Sequence, residues 1–197
     1  GFPFCRGRIF QHLEKDESQY NDETEIFWAS GACFFIRKEV YRKLKGFDED
    51  FFAHQEEIDL CWRAFNLNYK VKYNGKSTVY HVGGATLNES SPHKTFLNFR
   101  NSLWMMLKNV PRGKLVSTFF IRLTLDGQAG LHFALHGKFS HLFAVLKAHF
   151  YFYFFLFKFL NKRESNQYAN YYKTKSIVYY RFIKKGIIFD SSFNNSL

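Results

Sequence analysis

The stretch GFDEDFFAHQEEIDLCWRAF, residues 46–65, decides the fold, and it combines six carboxylates with five aromatic side chains. Neighbouring carboxylates repel one another, which costs free energy in any compact arrangement. Two explanations are open at this point. Either the acids are solvated on a surface turn, or positive groups lie beside them.

A helix is predicted within this stretch, from about Gln55 to residues 66–68. Three apolar residues share one of its faces: Ile58, Cys61 and Phe65. Asp59 lies four residues before Arg63, a spacing that pairs opposite charges on a helix surface. The sequence therefore predicts an amphipathic helix supported by an Asp59–Arg63 ion pair.

Strand and helix signals alternate upstream of this helix. Residues 28–36, WASGACFFI, are small and apolar enough for a buried strand entered through Gly31. Residues 37–44, RKEVYRKL, have the spacing of a short amphipathic helix, and Gly46 is expected to end it. This alternation is typical of a mixed α/β domain.

Downstream, the pattern changes from strand to helix. Residues 69–84, YKVKYNGKSTVYHVGG, predict one or two short strands that run into a turn at Gly83 and Gly84. After Pro92 the pattern is helical, with few strand signals before about residue 176. We therefore expect a helical second half.

Charge is distributed unevenly between the two halves. Residues 1–100 hold as many acids as bases, whereas residues 101–197 carry the whole net charge of +11. Such asymmetry indicates a second half that meets an anionic surface, either a membrane or nucleic acid. The basic residues are not interleaved with the aromatic ones, and no nucleic-acid-binding motif accompanies them, so we expect no nucleic-acid partner.

The segment from Lys138 to Leu160 contains AHFYFYFFLFKFL, the most aromatic part of the chain. Its uninterrupted apolar run, Phe150–Phe157, has eight residues, far fewer than the ~20 that span a bilayer. An aromatic helix flanked by lysines can lie in the lipid interface, which is the interpretation we favour. The alternative is a helix that packs on the first half through its Phe face.

Length and cysteine content set further bounds. A chain of 197 residues can bury one sizeable core. It begins at Gly1 without a methionine or a signal-peptide pattern, so we expect it to be the later part of a longer protein. Its three cysteines have no CxxC or Cys/His spacing, which predicts reduced thiols in a cytoplasmic setting.

The segment WASGACFFIRKEVYRKLKGFDEDFFAHQEEIDLCWRAFNLNYKVKYNGKSTVYHVGG, residues 28–84, resembles the acceptor-side half of the family 2 glycosyltransferases of the GT-A fold. The likeness is strongest to their bacterial rhamnosyltransferase-like branch, and it extends more loosely through NFRN, residues 98–101. It implies an α/β fold class, with the acceptor-side half of a GT-A domain over residues 1–105. A helical, aromatic and basic membrane-apposed extension would follow over residues 106–197.

The resemblance implies an inverting glycosyltransferase that moves a sugar from a nucleotide-sugar donor to a glycan or lipid-linked acceptor in cell-surface polysaccharide synthesis. It would act peripherally at the cytoplasmic face of the bacterial inner membrane. Two departures from the family pattern qualify this. Residues 1–27 contain no Asp-x-Asp metal motif, so this chain alone is expected to be inactive. The acidic pair is Glu56–Glu57, where the commoner form is Glu-Asp.

An inverting transfer needs a carboxylate that takes the proton of the acceptor hydroxyl. Glu57 is the predicted base, with Glu56 as the alternative, because a helix N-terminus favours the ionised form of an acid there. Acids at a helix start also serve as ordinary capping groups. The substrate contacts expected from the resemblance are Trp28, Gly31, Ala32, Asp59 and Arg100.

The resemblance also implies a divalent cation, Mg²⁺ or Mn²⁺, bound mainly by the missing half, with His81 as one ligand. Two other functions are open. One is a non-catalytic, membrane-associated binding module that retains the GT-A fold. The other is a metal-dependent hydrolase built on His54, Glu56 and His81, which lacks the compact ligand spacing of such sites.

Overall fold

The computed structural model describes residues 1–81, 91–172, 174 and 176–186. Over these residues the chain forms four short strands and seven α-helices, with a 3-10 turn at Glu49–Phe51. The elements are, in chain order, β1 (Arg8–Ile9), β2 (His12–Leu13), β3 (Glu23–Ile26), α1 (Lys38–Lys43), α2 (Glu56–Asn66), β4 (Val71–Asn74), α3 (Pro92–Asn109), α4 (Arg112–Leu135), α5 (Phe139–Phe154), α6 (Leu156–Leu160) and α7 (Ile177–Phe182).

The strands form two small sheets. β1 and β2 are antiparallel, with Arg8 opposite Leu13 and Ile9 opposite His12. β3 and β4 form the second pair. Helices and small sheets together confirm the mixed α/β class, whereas two sheets of two strands do not establish a GT-A architecture.

The chain divides into two compact units. The first contains Gly1, residues 26–71 and the described part of 79–169, and the second contains residues 2–25, 72–78 and the described part of 170–197. The division predicted at residue 105 falls inside α3, which continues unbroken to Asn109.

The second unit has its own apolar centre. Ile9 of β1 and Ile177 of α7 are buried together, and partly buried aromatic residues surround them. Arg6 pairs with Asp22 at 2.8 Å.

In the first unit α3 is the central helix. Ser91 caps its start by accepting a hydrogen bond from the His93 N–H, and Pro92 occupies the first turn, where no N–H is needed. α3 packs against α2, α5 and α6, and α5 also packs against α4. Two buried clusters result: Val40, Leu44, Leu60 and Ala64 between α1 and α2, and Phe96, Leu97, Ala144 and Ala148 between α3 and α5.

The predictions for α1 and α2 are confirmed. α1 begins and ends within one residue of the predicted helix, and Gly46 follows it with a positive φ of 68°. α2 covers Glu56–Asn66, with Ile58 and Cys61 buried.

The prediction of a buried strand at residues 28–36 is wrong. The segment has no regular structure, it turns at Gly31, and Phe35 is 98% exposed. A strand needs a neighbour for its main-chain hydrogen bonds, and among the described residues no strand pairs with this segment. The predicted strands at 69–84 are reduced to β4, and the turn at Gly83 and Gly84 lies outside the described residues.

α5 has two different apolar faces. One is buried against α3 and α4 through Ala144, Val145, Ala148 and Phe152. The other, which we call the outer aromatic face, is exposed and consists of Phe139, Phe143, Leu146, Phe150, Tyr153 and Phe154. Among the described helices, none combines the length and the apolar character needed to cross a membrane.

Candidate functional site

Two of the acids in the 46–65 stretch are neutralised by lysines that are distant in the sequence. Asp48 accepts hydrogen bonds from Lys108 at 2.7 Å and Lys162 at 2.6 Å, and Asp50 accepts from Lys158 at 2.7 Å and Lys162 at 2.6 Å. Burial raises the pKa of Asp48, but the two lysines outweigh it and bring that pKa to about 2. These carboxylates are therefore structural.

Asp59 is the most completely buried acid of the stretch, with 0% of its surface exposed. Its oxygens accept from Arg63 Nε, Lys108 Nζ and Asn109 Nδ2, each at 2.8 Å. The predicted Asp59–Arg63 pair is confirmed, whereas no sequence pattern indicated the two partners on α3. The contacts with Lys108 and Asn109 hold α2 against α3, and the Arg63 contact lies within α2, so Asp59 is an internal anchor with none of its surface exposed.

Glu56 and Glu57, at the first turn of α2, are different from these acids. Each has one buried carboxylate oxygen, Oε2, that lacks a hydrogen-bond partner among the described residues. Burial raises the pKa of both carboxyls, and for Glu57 it outweighs the hydrogen bonds from the main-chain N–H groups of its own residue, Gly31 and Ile58. The helix N-terminus alone would lower the pKa of these carboxyls, so the observed upward shift is opposite to that prediction.

His54 and Gln55 continue this cluster of unpaired polar atoms. His54 Nε2 and Gln55 Oε1 are also buried without a partner in the described part of the chain. Burial lowers the pKa of His54, and the charges of Lys94 and His93 lower it further, which favours the neutral imidazole. Four consecutive residues thus present polar atoms that a ligand could satisfy.

The segment at 28–32 lies beside this cluster. A Cβ added at Gly31 would lie 3.8 Å from the carboxyl carbon of Glu57, which shows how closely the two approach. Trp28 is half-buried and Ala32 is exposed, with its N–H donated to Ser30 Oγ at 3.3 Å. Of the predicted substrate contacts, the structure therefore brings Gly31 against the predicted base.

Arg100 lies beneath the cluster. Its Nη2 donates to the carbonyl oxygen of Phe51 at 3.1 Å, and its guanidinium stacks over the Trp104 ring at 4.3 Å. Only 9% of the residue is exposed. Its observed partners are main-chain carbonyls, the Asn101 side chain and aromatic rings, and a contact with substrate stays a prediction.

The backbone that leads into α2 is strained. Phe52 has φ 63° and ψ −60°, and Ala53 N–H donates to the Phe51 carbonyl at 2.8 Å, which is a γ-turn with positive φ. His54 and Gln55 also have positive φ, 70° and 73°. None of these residues is glycine, so each conformation costs about 1–3 kcal/mol. No feature of the sequence pattern predicted this turn.

The described residues contain no cluster of three or more His, Cys, Asp or Glu side chains that could hold a metal ion. His81 is exposed. One imidazole does not make a cation site, so the described residues alone do not fit a bound divalent cation, and its place on His81 stays a prediction.

Replacement of Glu57 by Gln is expected to stabilise the folded chain by about 0.5–2 kcal/mol at pH 7. The folded-state pKa of this acid lies above its ordinary value of 4.5, so stability falls as the pH rises from that value through the raised pKa. The gain from Glu57→Gln should therefore vanish at low pH, where the parent carboxyl is protonated. Urea unfolding of parent and variant at pH 4 and pH 7 measures it. A variant less stable than the parent at pH 7 contradicts the conclusion that burial of the Glu57 carboxyl outweighs its hydrogen bonds.

The chain is similar to rhamnosyltransferases over limited segments. It is 27% identical over 79 residues to the N-acetylglucosaminyl-diphospho-decaprenol L-rhamnosyltransferase of Mycobacterium tuberculosis. The matched segment covers 40% of this chain and 26% of that protein. It is 33% identical over 57 residues to Rhamnosyltransferase WbbL of Escherichia coli K12, covering 29% of this chain and 21% of that protein. The chain thus matches about a quarter of the length of these curated relatives. No protein-family model and no solved structure matches it.

Proposed function

We propose that this chain supplies the acceptor-side part of a glycosyltransferase. One observation carries the proposal: within the 46–65 stretch the three aspartates are paired and Glu49 is exposed, while Glu56 and Glu57 are half-buried and each keeps one buried carboxylate oxygen without a partner among the described residues. A protein tolerates such unpaired acids at a site that a ligand completes. The partial similarity to rhamnosyltransferases supports sugar transfer as the reaction class.

Glu57 is the proposed general base. Its carboxylate accepts the proton of an acceptor hydroxyl while that oxygen forms a bond to the anomeric carbon of the donor sugar. The bond from the anomeric carbon to the nucleoside diphosphate breaks on the opposite face, which inverts the configuration. A raised pKa makes Glu57 a better proton acceptor than an ordinary glutamate. Glu56 is the alternative base, since burial also raises its pKa and its Oε2 also lacks a partner among the described residues.

The names of the relatives guide the substrate class. A nucleotide-activated rhamnose is the proposed donor, and a sugar on a polyprenyl diphosphate is the proposed acceptor. In this proposal the nucleotide is bound by a part of the transferase that this chain does not supply, since the chain matches about a quarter of the length of these relatives. A divalent cation belongs to the proposal as a further expectation, with His81 as one ligand, and no step of the reaction above depends on it.

A transfer assay with the full-length protein tests the function. Nucleotide-activated rhamnose, glucose and galactose, each radiolabelled, are incubated separately with a lipid-linked N-acetylglucosamine acceptor. Label is expected in the lipid phase from the rhamnose donor and not from the other two. If none of the donors labels any acceptor, the enzymatic proposal fails and the alternative, a non-catalytic binding module, takes its place.

We also propose that α4 and α5 attach the protein peripherally to the cytoplasmic face of the bacterial inner membrane. The outer aromatic face of α5 is exposed, and α4 adds exposed apolar residues at Val116, Phe120, Ile121, Leu131 and Leu135. Within residues 112–154 the only acid is Asp126, which is buried, so the exposed charges there are all positive. Aromatic rings with basic neighbours suit the interface of an anionic bilayer.

Serine replacements on the outer aromatic face, at Phe143, Phe150 and Phe154 together, should weaken vesicle binding. We expect at least a ~10-fold loss of apparent affinity, about 1.4 kcal/mol, because rings leave the lipid interface. Cosedimentation with vesicles containing anionic lipid, at low and high salt, measures it. Phe35→Ser is the matched control, since Phe35 is as exposed but lies outside α4 and α5. If the triple variant sediments like the parent, these helices do not hold the protein on lipid.

A further inference from the structure

Asn101 of α3 lies directly beneath the strained turn that precedes α2. It is 0% exposed, and its Nδ2 lies 2.8 Å from the carbonyl oxygen of Phe51, 2.7 Å from that of Ala53 and 2.8 Å from that of His54. One carboxamide therefore contacts three carbonyls of four consecutive residues. Nothing in the reaction proposed above uses it.

Arg100 fixes the orientation of this amide. Its Nε donates to Asn101 Oδ1 at 2.9 Å, so the acceptor end of the amide faces the guanidinium and the NH₂ end faces the turn. Arg100 also donates through Nη2 to the Phe51 carbonyl at 3.1 Å. The two neighbouring side chains thus form one donor surface for the turn.

The turn needs this surface because its own residues do not favour it. Phe52, His54 and Gln55 all have positive φ without being glycine. The carbonyls held by Asn101 are not free to pair within α2, since that helix begins only at Glu56. A side chain without donors at position 101 would remove the amide donor from the carbonyls of Ala53 and His54, while the Phe51 carbonyl would keep Arg100 and the Ala53 N–H. The turn would then relax towards ordinary backbone angles.

We infer that Asn101 is a positioning residue for the transfer reaction, acting through the turn that places Glu56 and Glu57. This inference rests on the proposed function. By fixing the main chain up to residue 54, the amide sets where the first turn of α2 begins and where its carboxylates point. An enzyme base misplaced by about 1 Å can lose about 100-fold in rate.

Asn101→Ala in the full-length protein tests it, with Asn109→Ala as the matched control. Asn109 is a buried asparagine of the same helix whose Nδ2 donates to Asp59 at 2.8 Å and to the Met105 carbonyl at 3.0 Å, and not to the turn. Both variants should lower the Tm. Only Asn101→Ala should lower kcat, by about 100-fold with KM little changed, because the base is displaced while substrate contacts remain.

A second readout is independent of activity. The carboxyl pKa values of Glu56 and Glu57, followed by ¹³C NMR, should return towards the ordinary value in Asn101→Ala, because a relaxed turn exposes both acids to water. Asn109→Ala should leave them raised. If Asn101→Ala does not fold, Asn101→Ser, which keeps one donor, is measured in the same way.

The two proposals fail separately. Absence of transfer by the parent overturns the proposed function. The NMR titration of Glu56 and Glu57 still tests whether Asn101 positions these two carboxylates. Equal pKa values in the parent and in Asn101→Ala, or equal changes in Asn101→Ala and Asn109→Ala, overturn the positioning role whatever the activity.

Discussion

Glu57→Gln in the full-length protein is expected to lower turnover in sugar transfer by about 100- to 10,000-fold, because an amide cannot accept the proton of the acceptor hydroxyl. The replacement keeps the size of the side chain, and it removes the charge of a half-buried carboxylate whose Oε2 has no partner among the described residues. Donor affinity should therefore change little, and the loss should appear in kcat. Steady-state kinetics at saturating donor measures it.

Two further variants make this result specific. Glu49→Gln is the matched control, since Glu49 is an exposed acid of the same stretch and should keep parental turnover. Glu56→Gln is expected to cost less than Glu57→Gln, and the reverse order would make Glu56 the base. Near-parental turnover in both Glu56→Gln and Glu57→Gln would remove the enzymatic assignment of this acidic pair.

Asp59→Asn is expected to destabilise the fold by about 3–5 kcal/mol, the cost of breaking a buried ion pair by removing one partner. Asp59 is fully buried, and Arg63, Lys108 and Asn109 all donate to it. An asparagine leaves Arg63 without a counter-charge and turns an NH₂ group towards these donors. Urea unfolding at pH 7 measures the loss.

The control for this effect is an exposed aspartate–arginine pair. Asp22 pairs with Arg6 at 2.8 Å and has about half of its side chain exposed, so Asp22→Asn should cost no more than about 1 kcal/mol. A similar, small loss in both variants would mean that Asp59 is not the anchor between α2 and α3. The interpretation of the acidic stretch would then return to solvated acids.

Local pattern predicted the helices well. The apolar spacing around Val40 predicted α1, and that around Ile58 and Cys61 predicted α2, because such faces pack on a core. The Asp59–Arg63 pair was also predictable, since its partners are four residues apart on one helix. Predictions of this kind need only the neighbours along the chain.

The rest depended on contacts that spacing does not encode. Lys108 and Asn109 reach Asp59 across 49 and 50 residues, and no local pattern selects them. The apolar run at 28–36 is not a strand, because among the described residues no neighbouring strand pairs with it. The left-handed turn at 52–55 contains no glycine, so its usual sequence signal was missing.

The residues of the candidate site could be predicted from the sequence, whereas the pKa shifts and the ion pairing of its acids could not. The acidic pair Glu56–Glu57 stood out in the sequence, but burial, which raises both pKa values, depends on the three-dimensional packing. The distinction between paired aspartates and unpaired glutamates likewise required the lysines of the second half. The roles of Trp28 and His81 remain predictions.

Lys158 and Lys162 reach back more than 100 residues to Asp48 and Asp50, and this has an evolutionary consequence. A lineage that lost Lys158 and Lys162 would leave Asp50 without these counter-charges and Asp48 with Lys108 alone, and one that lost the aspartates would leave both lysines without these partners. These four positions should therefore be inherited together, and paired changes at them should appear across homologous sequences. Selection is therefore expected to act jointly on the two aspartates of the acidic stretch and the two lysines at 158 and 162.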